Sequence, residues 1–239
     1  MAEAYTKTAN RLLTNLSADA LSVIGPFLEE SALEHRQYIS RAGERIEHVY
    51  FVERGLLSVV APGGNGRQAE VGLVGFEGMS GVPTLLGLES WPFETFVQRP
   101  GGALRIRRED FLDAVEAHEE LKNTFLKFMH VMLVQTAYTA FANAHGKLEE
   151  RLARWLLMYH DRIDGDEMPL VHEFLAVMLA VRRPGVTDAL HILEGNGLIK
   201  ATRGKVTVIN RAGLVDKAGA YYGQPEAEYA AIFAKKNGQ

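Results

Sequence analysis

Hydrophobic and polar positions along the chain change period twice. Between residues 9 and 29, Leu12, Leu13, Leu16, Leu21, Ile24 and Leu28 recur every three to four residues. This spacing predicts short helices, with Ser17 before Ala-Asp-Ala-Leu as an N-cap. From about residue 31 short β-like runs take over: VYFV, LLSVVA, AEVGLV, FETFV and ALRIR, separated by glycine-containing breaks. Twelve of the chain's 23 glycines fall between residues 43 and 102, and PGGNG at 62–66 reads as a hairpin turn. Several short strands at this spacing predict a small sandwich, barrel or roll.

After Arg108 the pattern becomes helical. EDFLDAVEA reads as a short helix, and residues 119–144 as a long one without proline. The long helix carries two apolar stripes. One is Leu121, Phe125, Phe128, Met132, Gln135, Thr139 and Ala142, and the other Leu126, Met129, Leu133, Ala137 and Ala140. A helix apolar on two sides needs two partners, and one β-domain supplies only one. A second copy of the helix would supply the other, making a two-fold dimer seam, expected on Leu121, Phe125, Phe128, Met132, Gln135 and Thr139. The alternative is a central helix wholly buried in one chain. Residues 128–146 lack Asp, Glu, Lys and Arg, yet His130, Gln135, Asn143 and other polar side chains make the stretch too polar for lipid.

His145-Gly146 marks a break, followed by KLEERLARWLLMYHDRI as a further helix. Val171–Leu179 and Pro184–Glu194 then read as two helices joined by Ala180-Val181-Arg182-Arg183. Pro184 suits a helix start, and Asn196-Gly197 a left-handed C-cap. Val186, Leu190 and Leu193 give the second helix a buried stripe, leaving Arg183, Thr187, Asp188 and His191 on other faces, able to reach base edges or phosphates. The hairpin LIKATRGKVTVI places Arg203 and Lys205 on either side of Gly204, as a basic wing would. A last helix spans Arg211–Ala218, and the remainder from Gly223 is left open.

Charge sharpens this picture. The 239 residues carry a formal net charge of −4, but the distribution is uneven. Arg182, Arg183, Lys200, Arg203, Lys205 and Arg211 face only Asp188 and Glu194 between positions 182 and 211, six basic residues against two acids, a local +4. Such a face binds phosphate while the rest of the protein repels it. The absence of cysteine excludes disulfides, thiolate zinc sites and iron–sulfur clusters. The start, MAEAYTKTANRLL, lacks the apolar core of a secretory signal, so a cytoplasmic protein is expected.

Taken together, helix, short turn, Pro-started helix and basic-tipped hairpin point to DNA binding. The sequence resembles the CRP/FNR family of bacterial transcription regulators across nearly its whole length. The resemblance is carried by HVYFVERGLLSVV, by GRQAEVGLVGFEGMSG, by the long helix, and by LAVMLAVRRPGVTDALHILEGNGLIKATRGKVTVI. It implies an α+β chain: an N-terminal β-roll (cyclic-nucleotide-binding-like jelly roll) over residues 1–117, a dimerisation helix over 118–145, and a C-terminal winged helix-turn-helix with a tail over 146–239. It also implies a homodimer on an inverted repeat of double-stranded DNA, with RNA polymerase as partner if the protein activates. The recognition positions carried across are Arg182, Arg183, Pro184, Thr187, Asp188 and His191. Family members that read DNA with Arg, Glu and Arg match at Arg183 but not at Pro184 and Asp188, so the half-site is not transferable.

Members that bind cyclic AMP hold ribose with a glutamate after a glycine, and phosphate with an Arg-Ser pair. Here Gly78, Met79 and Ser80 stand at the first place, and Phe93, Glu94 and Thr95 near the second. Methionine is a poor partner for a ribose hydroxyl, and Glu94 repels phosphate, so cyclic AMP is not expected. Haem is not expected either, since the histidines show no ligand spacing. His172-Glu173 begins like a zinc-protease motif, but Ala176 stands where the second histidine belongs. Gly72, Gly75, Gly78 and Gly81 read as roll turns, without the helix a dinucleotide loop needs. Two other classes compete: a ligand-binding or protein-interaction module of cyclic-nucleotide type without DNA binding, and an enzyme. No nucleophile–base pair, paired carboxylates or metal cluster favours the enzyme.

Overall fold

The first helices begin where the sequence offers caps. In the computed structural model, which describes residues 8–63 and 67–234, α1 (Arg11–Thr14) starts at Asn10, whose side chain accepts from the Leu12 and Leu13 N–H groups. Ser17 caps α2 (Ala18–Ile24) by accepting from Ala20 N–H, as its position predicts. The strands follow: β1 (Glu29–Leu33), β2 (Tyr38–Ser40), β3 (His48–Pro62), β4 (Gln68–Val74) and β5 (Glu94–Arg107). β1, β5, β3 and β4 lie side by side in that order, and β2 also pairs with β5. β1 and β5 are antiparallel, with Glu29 opposite Arg105 and Leu33 opposite Gly101.

Two of the expected breaks are not breaks. VYFV and LLSVVA lie in one strand, β3, and FETFV from its Glu94 on and ALRIR lie in another, β5. The intervening glycines mark a close approach instead. A Cβ on Gly55 would lie 2.6 Å from the Arg99 carbonyl oxygen, and one on Gly101 2.0 Å from that of Arg54. Only glycine fits there, so the strands run on through a point that reads as a turn. At the hairpin after β3, Gly63 N–H donates to the Arg67 carbonyl at 2.6 Å. Residues 64–66 of the predicted turn lie outside the described residues.

The helical part comprises α3 (Arg108–Ala117), α4 (Glu119–His145), α5 (Leu148–His160), α6 (His172–Met178), α7 (Arg183–Gly195), α8 (Arg211–Ala218) and α9 (Gln224–Phe233). A second sheet holds β6 (Glu167–Met168), β8 (Lys205–Val208) and β7 (Ile199–Thr202), in that spatial order. The wing is thus three-stranded, because Glu167 and Met168 pair with Thr207 and Val206.

The chain forms two compact units. The first holds Val74–Leu133, the described residues before Val60, and those from Glu228 on. Its core includes the rings of Phe51, Phe111 and Phe125, with centroids 5.4 to 6.4 Å apart. Phe128 closes over Gly78, where an added Cβ would meet the ring at 2.3 Å. The end of α9 belongs here, with Glu228 2.9 Å from His130 and the Tyr229 hydroxyl donating to the Glu77 carbonyl.

The second unit joins Val60–Leu73, the tip of the β3–β4 hairpin, to Val134–Ala227. Here the Gln135 side chain accepts from Leu73 N–H at 2.7 Å and donates to its carbonyl. Buried Glu70 accepts from the Trp155 indole N–H. Buried Arg154 donates to the Tyr221 carbonyl and the Thr139 hydroxyl, and burial pulls its pKa down to about 10. The boundary between units therefore differs from the expected one, because the hairpin tip groups with the C-terminal half of the chain.

These contacts correct the expected seam. Leu121, Phe125, Phe128 and Gln135 are all buried within the chain itself, and Met132 and Thr139 are half-buried. That stripe faces the protein's own interior. The outward stripe is the other one: Leu126 and Met129 are half-buried, and Leu133, Ala137 and Ala140 exposed. Periodicity identified both stripes, but only packing decides which of them a domain uses up.

Candidate nucleic-acid interface

The helix pair at 172–195 is built around a tight turn. α6 ends at Met178, Ala180 adopts a positive φ of 51°, and Val181 N–H returns to the Ala176 carbonyl at 2.9 Å. α7 starts at Arg183, with Pro184 in its first turn, where proline needs no hydrogen-bond acceptor. Val186, Ala189, Leu190 and Leu193 are buried, which fixes the helix's rotation. Its end follows the predicted pattern: Gly197 has φ 68° and donates to the Glu194 carbonyl, while Leu198 N–H reaches the Leu193 carbonyl.

The opposite face of α7 carries Arg183, Pro184, Asp188 and His191, all exposed, with Thr187 half-buried and Arg182 exposed just before the helix. Arg182 and Arg183 sit at the helix's positive end, so both charge and dipole favour an anion there. The wing tip is Arg203-Gly204 between the paired residues Thr202 and Lys205, and Gly204 has φ 76°. Arg203 is exposed, whereas the Lys205 ammonium lies 2.6 Å from Glu167.

Not every basic residue counted in the sequence is available to a ligand. Arg211 donates to Asp161 at 2.6 Å, to the Tyr222 hydroxyl at 2.9 Å and to His160 Nδ1 at 2.9 Å. Burial works against its charge, but Asp161 and Tyr222 outweigh burial and hold its pKa above the ordinary value. Arg211 therefore ties α5 to α8 and Tyr222. The same Asp161, after burial, raises the Tyr222 pKa. Lys205 is paired with Glu167. Arg182, Arg183, Lys200 and Arg203 form the exposed basic set.

The supporting roles of two residues carry no mark in the sequence. Arg151 donates to the Leu179 carbonyl and to Asn143 Oδ1, fastening the end of α6. His172 Nδ1 lies 3.0 Å from the Thr187 hydroxyl, linking the first turn of α6 to α7. Periodicity carries no signal for either, since each bond joins residues that are distant in sequence.

In the first unit, the Gly78–Ser80 segment is stitched to β3. Val52 N–H and the Asn10 side chain both donate to the Gly78 carbonyl. Ser80 N–H donates to the Tyr50 carbonyl, and Tyr50 N–H to the Ser80 hydroxyl. Met79 is fully buried beside Phe51. Phe93 and Glu94 are half-buried, with Phe93 edge-on to Trp91. Thr95 is buried, and its hydroxyl, like that of Thr84 and the Gln98 amide, has no hydrogen-bond partner among the described residues. No lysine or arginine occurs between positions 75 and 98, which carry Glu77, Glu89 and Glu94. This stretch has hydroxyls and an amide to offer a ligand, but no cation for a phosphate.

Comparison with known proteins finds two family models along the chain. Residues 30–118 match the cyclic nucleotide-binding domain, and residues 150–217 the Crp-like helix-turn-helix domain. No curated protein matches the chain. Among solved structures, one from Eubacterium rectale, described as a transcriptional regulator of the crp/fnr family, superposes with a TM-score of 0.69 at 18% identity. The match covers 87% of this chain and 97% of that one. A CRP-family transcriptional regulator from Thermus thermophilus gives 0.67 at 20% identity, covering 80% and 97%. FixK2 from Bradyrhizobium japonicum gives 0.68 at 18%, covering 81% and 98%. At these identities the structures speak for the fold. No helix among the described residues is long and apolar enough to cross a membrane.

Proposed function

The chain belongs to the CRP/FNR family of DNA-binding transcription regulators, and we propose that it acts as a cytoplasmic homodimer on an inverted repeat, responding to an effector other than cyclic AMP or to none. One observation carries this reading: α7 exposes Arg183, Asp188 and His191 opposite a fully buried stripe, with Arg182 beside its positive end. A helix held in this way can enter the major groove with its N-terminal side chains on base edges. Arg183 is assigned to a guanine edge, where a bidentate contact discriminates by about 1–3 kcal/mol. Arg203 is assigned to phosphate, which positions the protein without specifying sequence, whereas the Lys205 ammonium is held by Glu167. Two-fold symmetry then requires half-sites about one helical turn apart.

The α4 stripe of Leu126, Met129, Leu133, Ala137 and Ala140 supports the dimer, because a second copy would cover what one chain leaves exposed. Met79 and the Phe93-Glu94-Thr95 segment support an effector that is not cyclic AMP. An activator would in addition contact RNA polymerase. Selection from a random duplex library, followed by salt titrations, tests the DNA reading. Arg183→Ala should weaken the selected site more than random duplex and relax one base position. Arg203→Ala should weaken both alike and lower the salt slope by roughly one unit per half-site. A selected motif unchanged in Arg183→Ala would show that this helix does not read bases through Arg183.

A further inference from the structure

His172 begins a metal motif that its neighbours do not complete, and its place in the fold gives it another use. It stands on the first turn of α6, and its Nδ1 lies 3.0 Å from the Thr187 hydroxyl on α7, which is also 3.4 Å from the Arg183 carbonyl. A threonine hydroxyl has a single hydrogen to donate. If His172 carries its proton on Nδ1, the hydroxyl accepts from it and donates to the Arg183 carbonyl. If His172 carries its proton on Nε2, the hydroxyl donates to Nδ1. In both tautomers the hydroxyl hydrogen is spent inside the protein.

Resting on the reading of α7 as the recognition helix, we infer that His172 is a positioning residue that sets what Thr187 offers to DNA: its methyl group, not its hydroxyl hydrogen. Thr187 lies four residues after Arg183 and four before His191, so the three share a face. It is half-buried, so part of the side chain remains accessible. With no donor left, Thr187 cannot hydrogen-bond the acceptors of guanine, adenine N7 or thymine O4. A threonine methyl matches the thymine C5-methyl by apolar contact. The half-site should therefore contain one thymine recognised by its methyl group, next to the base read by Arg183.

The test uses full-length protein on the duplex that it selects, with each half-site thymine replaced in turn by deoxyuridine, which lacks only that methyl. At one position the wild-type protein should lose about three- to fivefold in affinity, the worth of one apolar carbon removed from water. Thr187→Ser, which keeps the hydroxyl and drops the methyl, should abolish this penalty. His172→Ala, which leaves the hydroxyl only its 3.4 Å bond to the Arg183 carbonyl and so lets the side chain turn, should also abolish it, while His172→Asn, which restores a polar atom near Nδ1, should recover it. Binding to random duplex should be unchanged in both His172 variants, as a merely structural defect would not allow. A clean motif with no uracil penalty, or a penalty retained in His172→Ala, overturns this inference alone. A selection that yields no motif overturns the recognition-helix reading, and this inference with it.

Discussion

Replacing Leu133 with Asp tests the dimer seam where the protein itself gives no cover. Leu133 is 67% exposed in the single chain, at the middle of the outward stripe of α4. Covering it in a two-fold seam would stabilise the dimer by about 1.5–3 kcal/mol per copy. Symmetry places the change in both chains, so losing both leucines costs about 3–6 kcal/mol. A carboxylate held away from water at the same place adds a further penalty. On that scale the dimer dissociation constant rises by about 10² to 10⁴. Sedimentation velocity across a micromolar concentration series should show a dimer for the native protein and a monomer for Leu133→Asp, with unchanged circular dichroism. Phe128→Asp does not test the seam, because Phe128 is 1% exposed and its loss would unfold the chain's own core. A Leu133→Asp variant that keeps the dimer mass would refute the reasoning.

Other perturbations bear on the interior and the sensor. Gly78→Ala drives a methyl to 2.3 Å from the Phe128 ring, whose burial leaves it little room to yield, and should cost about 1–3 kcal/mol in urea unfolding. Trp155→Phe takes the indole donor from the buried Glu70 carboxylate and should cost about 1–3 kcal/mol by the same assay, whereas an exposed site would lose almost nothing. Isothermal titration with micromolar cyclic AMP should give no isotherm, and a clear one would refute the argument from Met79 and Glu94. The His48 pKa is lowered, first by burial and then by Arg105. Protonation therefore disfavours the fold, and stability should decline as pH falls below about 6.5, a decline that His48→Gln should flatten.

Much of the architecture was legible because it is written in local periodicity. The α7 boundaries, the Ser17 cap, the wing and α8 follow from residues whose partners lie within a few positions. β1 and β2 were not legible as strands. Glu29-Glu30-Ser31-Ala32-Leu33 is largely polar, and its strand character comes from antiparallel pairing with β5, some 70 residues away. β3 and β5 were cut in two for a related reason. Gly55 and Gly101 break a pattern when read singly, but together they admit the close passage of two backbones. A glycine signal thus has two physical meanings, and only its partner across the sheet separates them.

The site divides along the same line. Exposure of Arg183, Asp188 and His191 follows from the buried stripe Val186, Leu190 and Leu193, because one helix cannot turn both faces inward. Availability of charge does not follow. Arg211 and Lys205 count as two of six basic residues in the sequence, yet Asp161, 50 positions earlier, and Glu167, 38 earlier, occupy them. Arg154 is the limiting case. Nothing in KLEERLARWLL distinguishes it from Arg151, which stays half-buried, but Arg154 is 5% exposed and satisfied by the Tyr221 carbonyl and the Thr139 hydroxyl. A charge buried in this way tolerates only arrangements that supply those acceptors, so α4, α5 and the chain after α8 are fixed together. Hydrophobic pattern says which surfaces must meet, and polar pairing across long sequence distances then selects among the ways of meeting.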